Sequence, residues 1–230
     1  MARPARSDSE KRRGGMRAAA LLHVLATRIG AGNPHQFAAR FDEKFGMLTS
    51  RSGKWRLNFN GEKPLSQQQR KLLTRLDADA DTLHEDGPAS LWKAMWGQPN
   101  ELRSIVSVEL GKWETLDMVL AEFEADLLLA ELEDAPLALA HLAKAVALYR
   151  LHQEIEAVVP IGLDGGGICR CLRLCLDNDP IQQELALLGV QQAVDAELTS
   201  WIVSRTDMEI AWAPADERWS AVAARLDWVN

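Results

Sequence analysis

Apolar residues recur every three or four positions along most of the chain, the spacing that lines one face of a helix. "MRAAALLHVLATRI" predicts a helix over residues 16–30, stopped by the glycines and proline of "GAGNP". Asn33, a good N-cap with Pro34 in the first turn, opens a second helix through "HQFAARFDEKFG". Phe37, Phe41 and Phe45 form its apolar stripe, and Gly46 ends it. In "KWRLNF", Trp55 and Phe59 stand four apart and share an inward face. Arg51, Lys54 and Asn58 then fall on one flank, with Arg56 and Asn60 on the other, all five free to meet solvent. Asn60-Gly61 predicts a sharp turn, and Pro64 stands where no helical N–H is needed. Ser66 caps a further helix, with Gln69 as its capping-box partner and Leu72, Leu73 and Leu76 as its apolar face.

Beyond residue 87 the tracts lengthen. Trp92 and Trp96 share one helix face and read as core. Residues 100–136 and 137–159 each repeat apolar positions at helical spacing and are separated at Pro136, which predicts two long antiparallel helices. Near the end, Pro214 and Asp216 start a last helix with Trp219 on its buried side. The fold class expected is all-α: an N-terminal helix-turn-helix-like part followed by an antiparallel helical bundle. No repeat of fixed period argues for a solenoid.

Composition supports helices and then divides the chain. With 47% hydrophobic and 26% charged residues the protein is ordinary globular material, and Ala and Leu dominate the long tracts. Charge is segregated. Residues 1–76 hold 16 Lys and Arg against 5 Asp and Glu, a net +11, while residues 77–230 hold 10 against 28, a net −18. A positive surface gathers polyanions and an acidic one repels them, so the N-terminal third is the candidate nucleic-acid surface. The competing reading is that the two parts attract one another within the molecule. The expected division is a disordered basic tail at 1–15, a basic domain at 16–86 and an acidic helical domain at 87–230.

The basic start before an apolar run has the outline of a secretory signal, but His23 interrupts that run and Thr27 and Arg28 follow it. No stretch approaches the roughly 18 apolar residues that span a bilayer, so no membrane partner is expected. Cys169, Cys171 and Cys175 are odd in number and clustered, which suits a reducing compartment, the cytoplasm.

"WRLNFNGEKPLS", residues 55–66, preceded by "FAARFDEKFG", resembles the lambda-repressor-like helix-turn-helix family. In that family the reading helix is followed by a Gly-containing turn, a Pro and a Ser-capped helix. Here the connection "MLTSRSG" is longer than the family's compact turn, and Gly53 stands near the start of the reading helix. The resemblance implies a DNA-binding regulatory protein, duplex DNA as partner and a homodimer, since one short helix recognises few base pairs. By their chemistry, Arg51, Lys54 and Arg56 would meet phosphates or the acceptor edge of guanine, and Asn58 and Asn60 would meet adenine. Trp55 would be scaffold. Lys63, Arg70, Lys71 and Arg75, with Lys11, Arg12, Arg13 and Arg17, would add phosphate attraction. The alternative from another class is a helical protein-interaction factor, adaptor or antitoxin-like, whose basic face meets an acidic protein without DNA.

Other chemistries fit poorly. "DADADTLHEDGP" has calcium-loop spacing at Asp77, Asp79 and Asp81, but Thr82 replaces the required Gly and Pro88 the required Glu, so it reads as a solvated acidic linker. "CRCLRLC" offers three thiols where structural zinc needs four ligands, and buried apolar thiols are expected. "LDGGG" lacks the Lys-Ser/Thr of a phosphate loop. The five His show no H-E-x-x-H or H-x-x-x-H pattern, and no G-x-S-x-G elbow occurs. No enzyme activity, cofactor or metal is expected.

Overall fold

The computed structural model describes residues 7–107, 116–158 and 166–212. Arg3, Arg6, the "LDG" of the glycine run and the segment holding Trp219 and Trp228 lie outside the described residues. Among those described, the protein is all-helical and has no strand. None of the described helices is long and apolar enough to cross a membrane.

Helix α1 (Asp8–Arg28) begins well before the expected start at 16. The Ser7 hydroxyl accepts from the Glu10 N–H at 3.1 Å while the Glu10 carboxylate accepts from the Ser7 N–H at 2.8 Å. That capping box satisfies two orphan donors and fixes the helix start, so residues 8–15 are ordered helix and not a disordered tail. α2 (Pro34–Phe45) has the expected caps: Asn33 Oδ1 accepts from the Gln36 N–H, and Gly46 closes the helix at φ 64°. A 3₁₀ turn at Ser50–Ser52, the single-turn α3 (Arg56–Phe59) and α4 (Gln67–Leu76) follow, the last with the Ser66–Gln69 capping box. Leu21, Leu22 and Leu25 of α1 close over Phe37, Phe41, Trp55, Phe59 and Leu73 in one core.

The acidic stretch after α4 is not a solvated linker. It folds as α5 (Ala80–Glu85), and the basic helices hold it. Arg28 meets Asp77 at 2.7 Å, Arg70 meets Asp81 at 3.2 Å and Glu85 at 2.9 Å, and Arg17 meets Glu85 at 2.9 Å. Part of the +11 is therefore neutralised inside the molecule.

After a 3₁₀ turn at Pro88–Ser90 come α6 (Leu91–Trp96), α7 (Pro99–Val106), α8 (Leu116–Leu132), α9 (Leu139–Val158), α10 (Gly166–Leu176) and α11 (Asp179–Leu187). The first long helix expected over 100–136 is interrupted, because Ser107 adopts a left-handed conformation, φ 60°, and closes α7. α9 is the centre of this half, with α6, α7 and α10 against it. Ala143, Val146, Ala147 and Tyr149 are fully enclosed around its circumference, as a helix apolar on all sides requires. Trp92 is buried as expected and stacks on the half-buried Trp96 with centroids 5.1 Å apart. Cys171 and Cys175 are buried on α10, where the apolar surroundings push the Cys175 thiol up to about 12. Among the described residues no three His, Cys, Asp or Glu side chains converge to hold a metal.

Contacts group the residues up to Gln191 into a first unit. Within it, Arg13 and Arg17 of α1 lie over the Trp96 ring at 5.5 and 5.4 Å, and His23 lies beside Gly189, so α1 touches both the basic and the acidic stretch. The second unit begins at Gln192, and its described part is the remainder of α12 (Gln191–Trp212).

Gly14 and Gly15 lie inside α1, where Ala is ordinarily favoured by about 1 kcal/mol. A Cβ on Gly15 would stand 1.9 Å from the Gly61 carbonyl oxygen, which belongs to the backbone of the turn after α3. Gly15→Ala should accordingly lower the melting temperature despite its helix propensity. An unchanged or raised melting temperature would mean that α1 and this turn separate readily.

Candidate nucleic-acid interface

The candidate segment, residues 47–64, is anchored by a buried carboxylate. Asp42 on the last turn of α2 is only 8% exposed. Its Oδ1 accepts from the Thr49 N–H at 2.8 Å and the Thr49 hydroxyl at 2.6 Å, and its Oδ2 accepts from the Ser50 N–H at 2.8 Å. Burial, the largest single influence, favours the neutral acid, but the hydrogen bonds from Thr49 and Ser50 together outweigh it and lower the pKa to about 2. Thr49 Oγ1 also accepts from Trp55 Nε1 at 2.9 Å. The indole is thereby anchored while its rings pack edge-on against Phe37 and Phe41, at 5.5 and 5.0 Å between centroids. Trp55 is buried scaffold, as its spacing predicts. Gly53 lies in the left-handed region at φ 58° with open space where a Cβ would stand, so it serves the turn ahead of α3 and not a helix interior.

A second buried polar cluster fixes the far side. Asn58, expected on the free flank, is only 1% exposed. Its Nδ2 donates to the carbonyls of Lys63 at 2.8 Å and Pro64 at 3.2 Å, and its Oδ1 accepts from Gln69 Nε2 at 3.0 Å. The Asn58 amide thus holds the turn onto α4, with both its donors used, and lies too deep to reach a base. α3 is a single turn, after which the backbone bends back over Asn58, so helical spacing alone misplaced it.

The remaining candidates divide by partner. Arg51, Lys54, Arg56, Lys63 and Lys71 are exposed, and none of the five forms an ion pair among the described residues. Asn60 is exposed, with its amide donating to Glu62 at 2.9 Å. Arg70 is half-buried between Asp81 and Glu85, so its charge is committed to the fold. Of the further basic residues, Lys11 pairs with Asp8, Arg13 and Arg17 cover Trp96, Arg75 lies over Phe45, and Arg12 remains exposed.

Between the N-terminus of α2 and the 3₁₀–α3 segment lies a half-open cleft of about 390 Å³. Asn33, His35, Ser50, Arg56 and Asn60 give its polar lining, and Pro34, Ala38 and Trp55 its apolar wall. It contains a cation and no carboxylate. Sequence reasoning gave Asn33 and Pro34 only capping roles and gave His35 and Ser50 none, because their approach to Arg56 depends on the Asp42 anchor rather than on local spacing. No protein-family model, curated protein or solved structure matches the chain.

Asp42 has its pKa lowered on folding, so its stabilisation is complete above the unfolded value near 3.8 and is lost as pH falls through about 2. Asp42→Asn should destabilise the protein at pH 7 by on the order of 2 kcal/mol and shrink its loss of stability between about pH 4 and pH 2. Denaturant titrations followed by Trp fluorescence would measure both. Wild-type stability and wild-type acid dependence in the Asp42→Asn protein would show that the loop does not hang on this carboxylate.

Proposed function

We propose that the protein is a DNA-binding regulator whose contact face is the segment from Arg51 to Lys63, as the resemblance of residues 55–66 to the lambda-repressor-like family implies. One observation carries the reading. Arg17, Arg28 and Arg70 are neutralised by the acidic α5 stretch, whereas Arg51, Lys54, Arg56 and Lys63, within thirteen residues of chain, stay exposed and form no ion pair among the described residues. Unpaired cations on a rigidly held surface gain affinity for phosphates by releasing condensed counterions. With Asn58 inside, adenine recognition falls to Asn60 alone, and the short α3 makes phosphate positioning the larger part of binding. The reading includes a homodimer, to extend a small site, and a reducing, cytoplasmic setting for the three free thiols.

A protein-facing role for the same segment has its own support, since Leu48 is 71% and Leu57 44% exposed beside these cations. Salt separates the two, because DNA binding weakens log-linearly with ionic strength and a packed apolar contact does not. The intact protein should bind a random duplex library at low ionic strength. Arg51→Ala/Lys54→Ala/Arg56→Ala should reduce the magnitude of the salt slope by about 0.9 for each phosphate contact removed while leaving the melting temperature unchanged. Arg70→Ala should do the reverse, lowering stability with little effect on the slope. Absence of salt-dependent binding to any duplex would sink the DNA reading.

A further inference from the structure

α8 carries two apolar stripes, and the fold uses one. Val119, Phe123 and Leu127 are buried, at 7%, 1% and 3% exposure. That stripe is held against the neighbouring helices, with Lys144 of α9 5.0 Å from the Phe123 ring centroid and Arg170 of α10 paired with Glu124. The second stripe faces outward. Ala121, Ala125, Leu128 and Leu132 follow one another at alternating four- and three-residue steps, the seam spacing of a helix that packs along another helix. Leu128, Leu129 and Leu132 are 48%, 53% and 83% exposed, and the two alanines leave room for close approach. Three large aliphatic side chains in water on adjacent turns are a cost that a partner would remove.

The charge beside the seam selects the partner. Glu122, Asp126 and Glu131 are exposed along it, Glu133 and Asp134 follow at its end, and α8 contains no Lys or Arg. A second copy, in either direction, would set these carboxylates against their own kind, which is unfavourable at every turn. We propose that α8 is a docking face for a basic amphipathic helix of another protein, whose leucine-type stripe covers Leu128, Leu129 and Leu132 and whose Lys or Arg residues flank the seam to meet Glu122, Asp126 and Glu131. The mode is helix against helix, with the seam giving affinity and the charges giving orientation and choice. It shares no residue with the segment proposed to contact DNA, so neither reading depends on the other.

The probe is a synthetic amphipathic helix of about five turns with leucines at seam spacing and lysines on its flanks, compared with the same helix carrying glutamates in place of lysines. The full chain should bind the lysine helix and not the glutamate helix. Leu128→Ser/Leu132→Ser should weaken binding by about tenfold or more with no loss of thermal stability, since both side chains are exposed. Glu122→Lys/Asp126→Lys/Glu131→Lys should transfer preference to the glutamate helix. Failure of the lysine helix to bind, or binding untouched by the leucine changes, overturns the proposal. So does sedimentation showing a dimer that Leu128→Ser/Leu132→Ser dissolves, which would make a second copy the occupant.

Discussion

The N-terminal half of the molecule depends on one buried carboxylate whose two oxygens are both engaged by the loop that follows it. Asp42 takes three hydrogen bonds from two consecutive loop residues, and the Thr49 hydroxyl that donates to it also accepts from Trp55. A chain of polar contacts thus runs from α2 through the loop to the aromatic core. Hydrogen bonds to a charged acceptor are worth about 1.5–3 kcal/mol each, and a buried carboxylate left without them would be strongly penalised. The loop therefore has one satisfactory position, and Arg51, Lys54 and Arg56 are displayed from it at fixed sites.

Electrostatics does a different job in the two halves of the sequence. The ion pairs of Arg28 and Arg70 with the α5 stretch are partly solvated and individually weak. Their larger effect is on distribution. By pairing Arg17, Arg28 and Arg70, they remove part of the positive charge of α1 and α4, while Arg51, Lys54, Arg56 and Lys63 stay exposed after the loop. The same acidic stretch that looked like spare linker thus thins the positive charge on the helices it packs against.

Local grammar was legible in the sequence, and long-range pairing was not. The caps at Asn33 and Ser66, the stop at Gly46 and the inward pair Trp55 and Phe59 all follow from neighbours within four residues. The start of α1 was also readable, since Ser7 and Glu10 have capping-box spacing, but the surrounding basic residues suggested a tail instead. α5 could not be read in this way. Arg28 and Asp77 are 49 residues apart, and no periodicity connects them. Asn58 fails for a related reason: a helical projection assumes the helix continues, and α3 stops after one turn, which brings the Lys63 and Pro64 carbonyls onto the amide. The glycine pair of α1 likewise becomes intelligible only with the Gly61 carbonyl beside it.

The segregation of charge also bears on how the two proposed faces would work together. Phosphates that gain energy near Arg51, Lys54 and Arg56 lose it near Glu122, Asp126 and Glu131, so the proposed duplex would be steered toward the first face and away from the second. The proposed basic helix would be steered the opposite way. If both proposals hold, each ligand would be repelled from the other's site. The apolar seam on α8 adds selectivity that charge alone lacks, because a polyanion-binding basic segment without leucines at seam spacing would gain only the screened surface attraction and leave Leu128 and Leu132 in water.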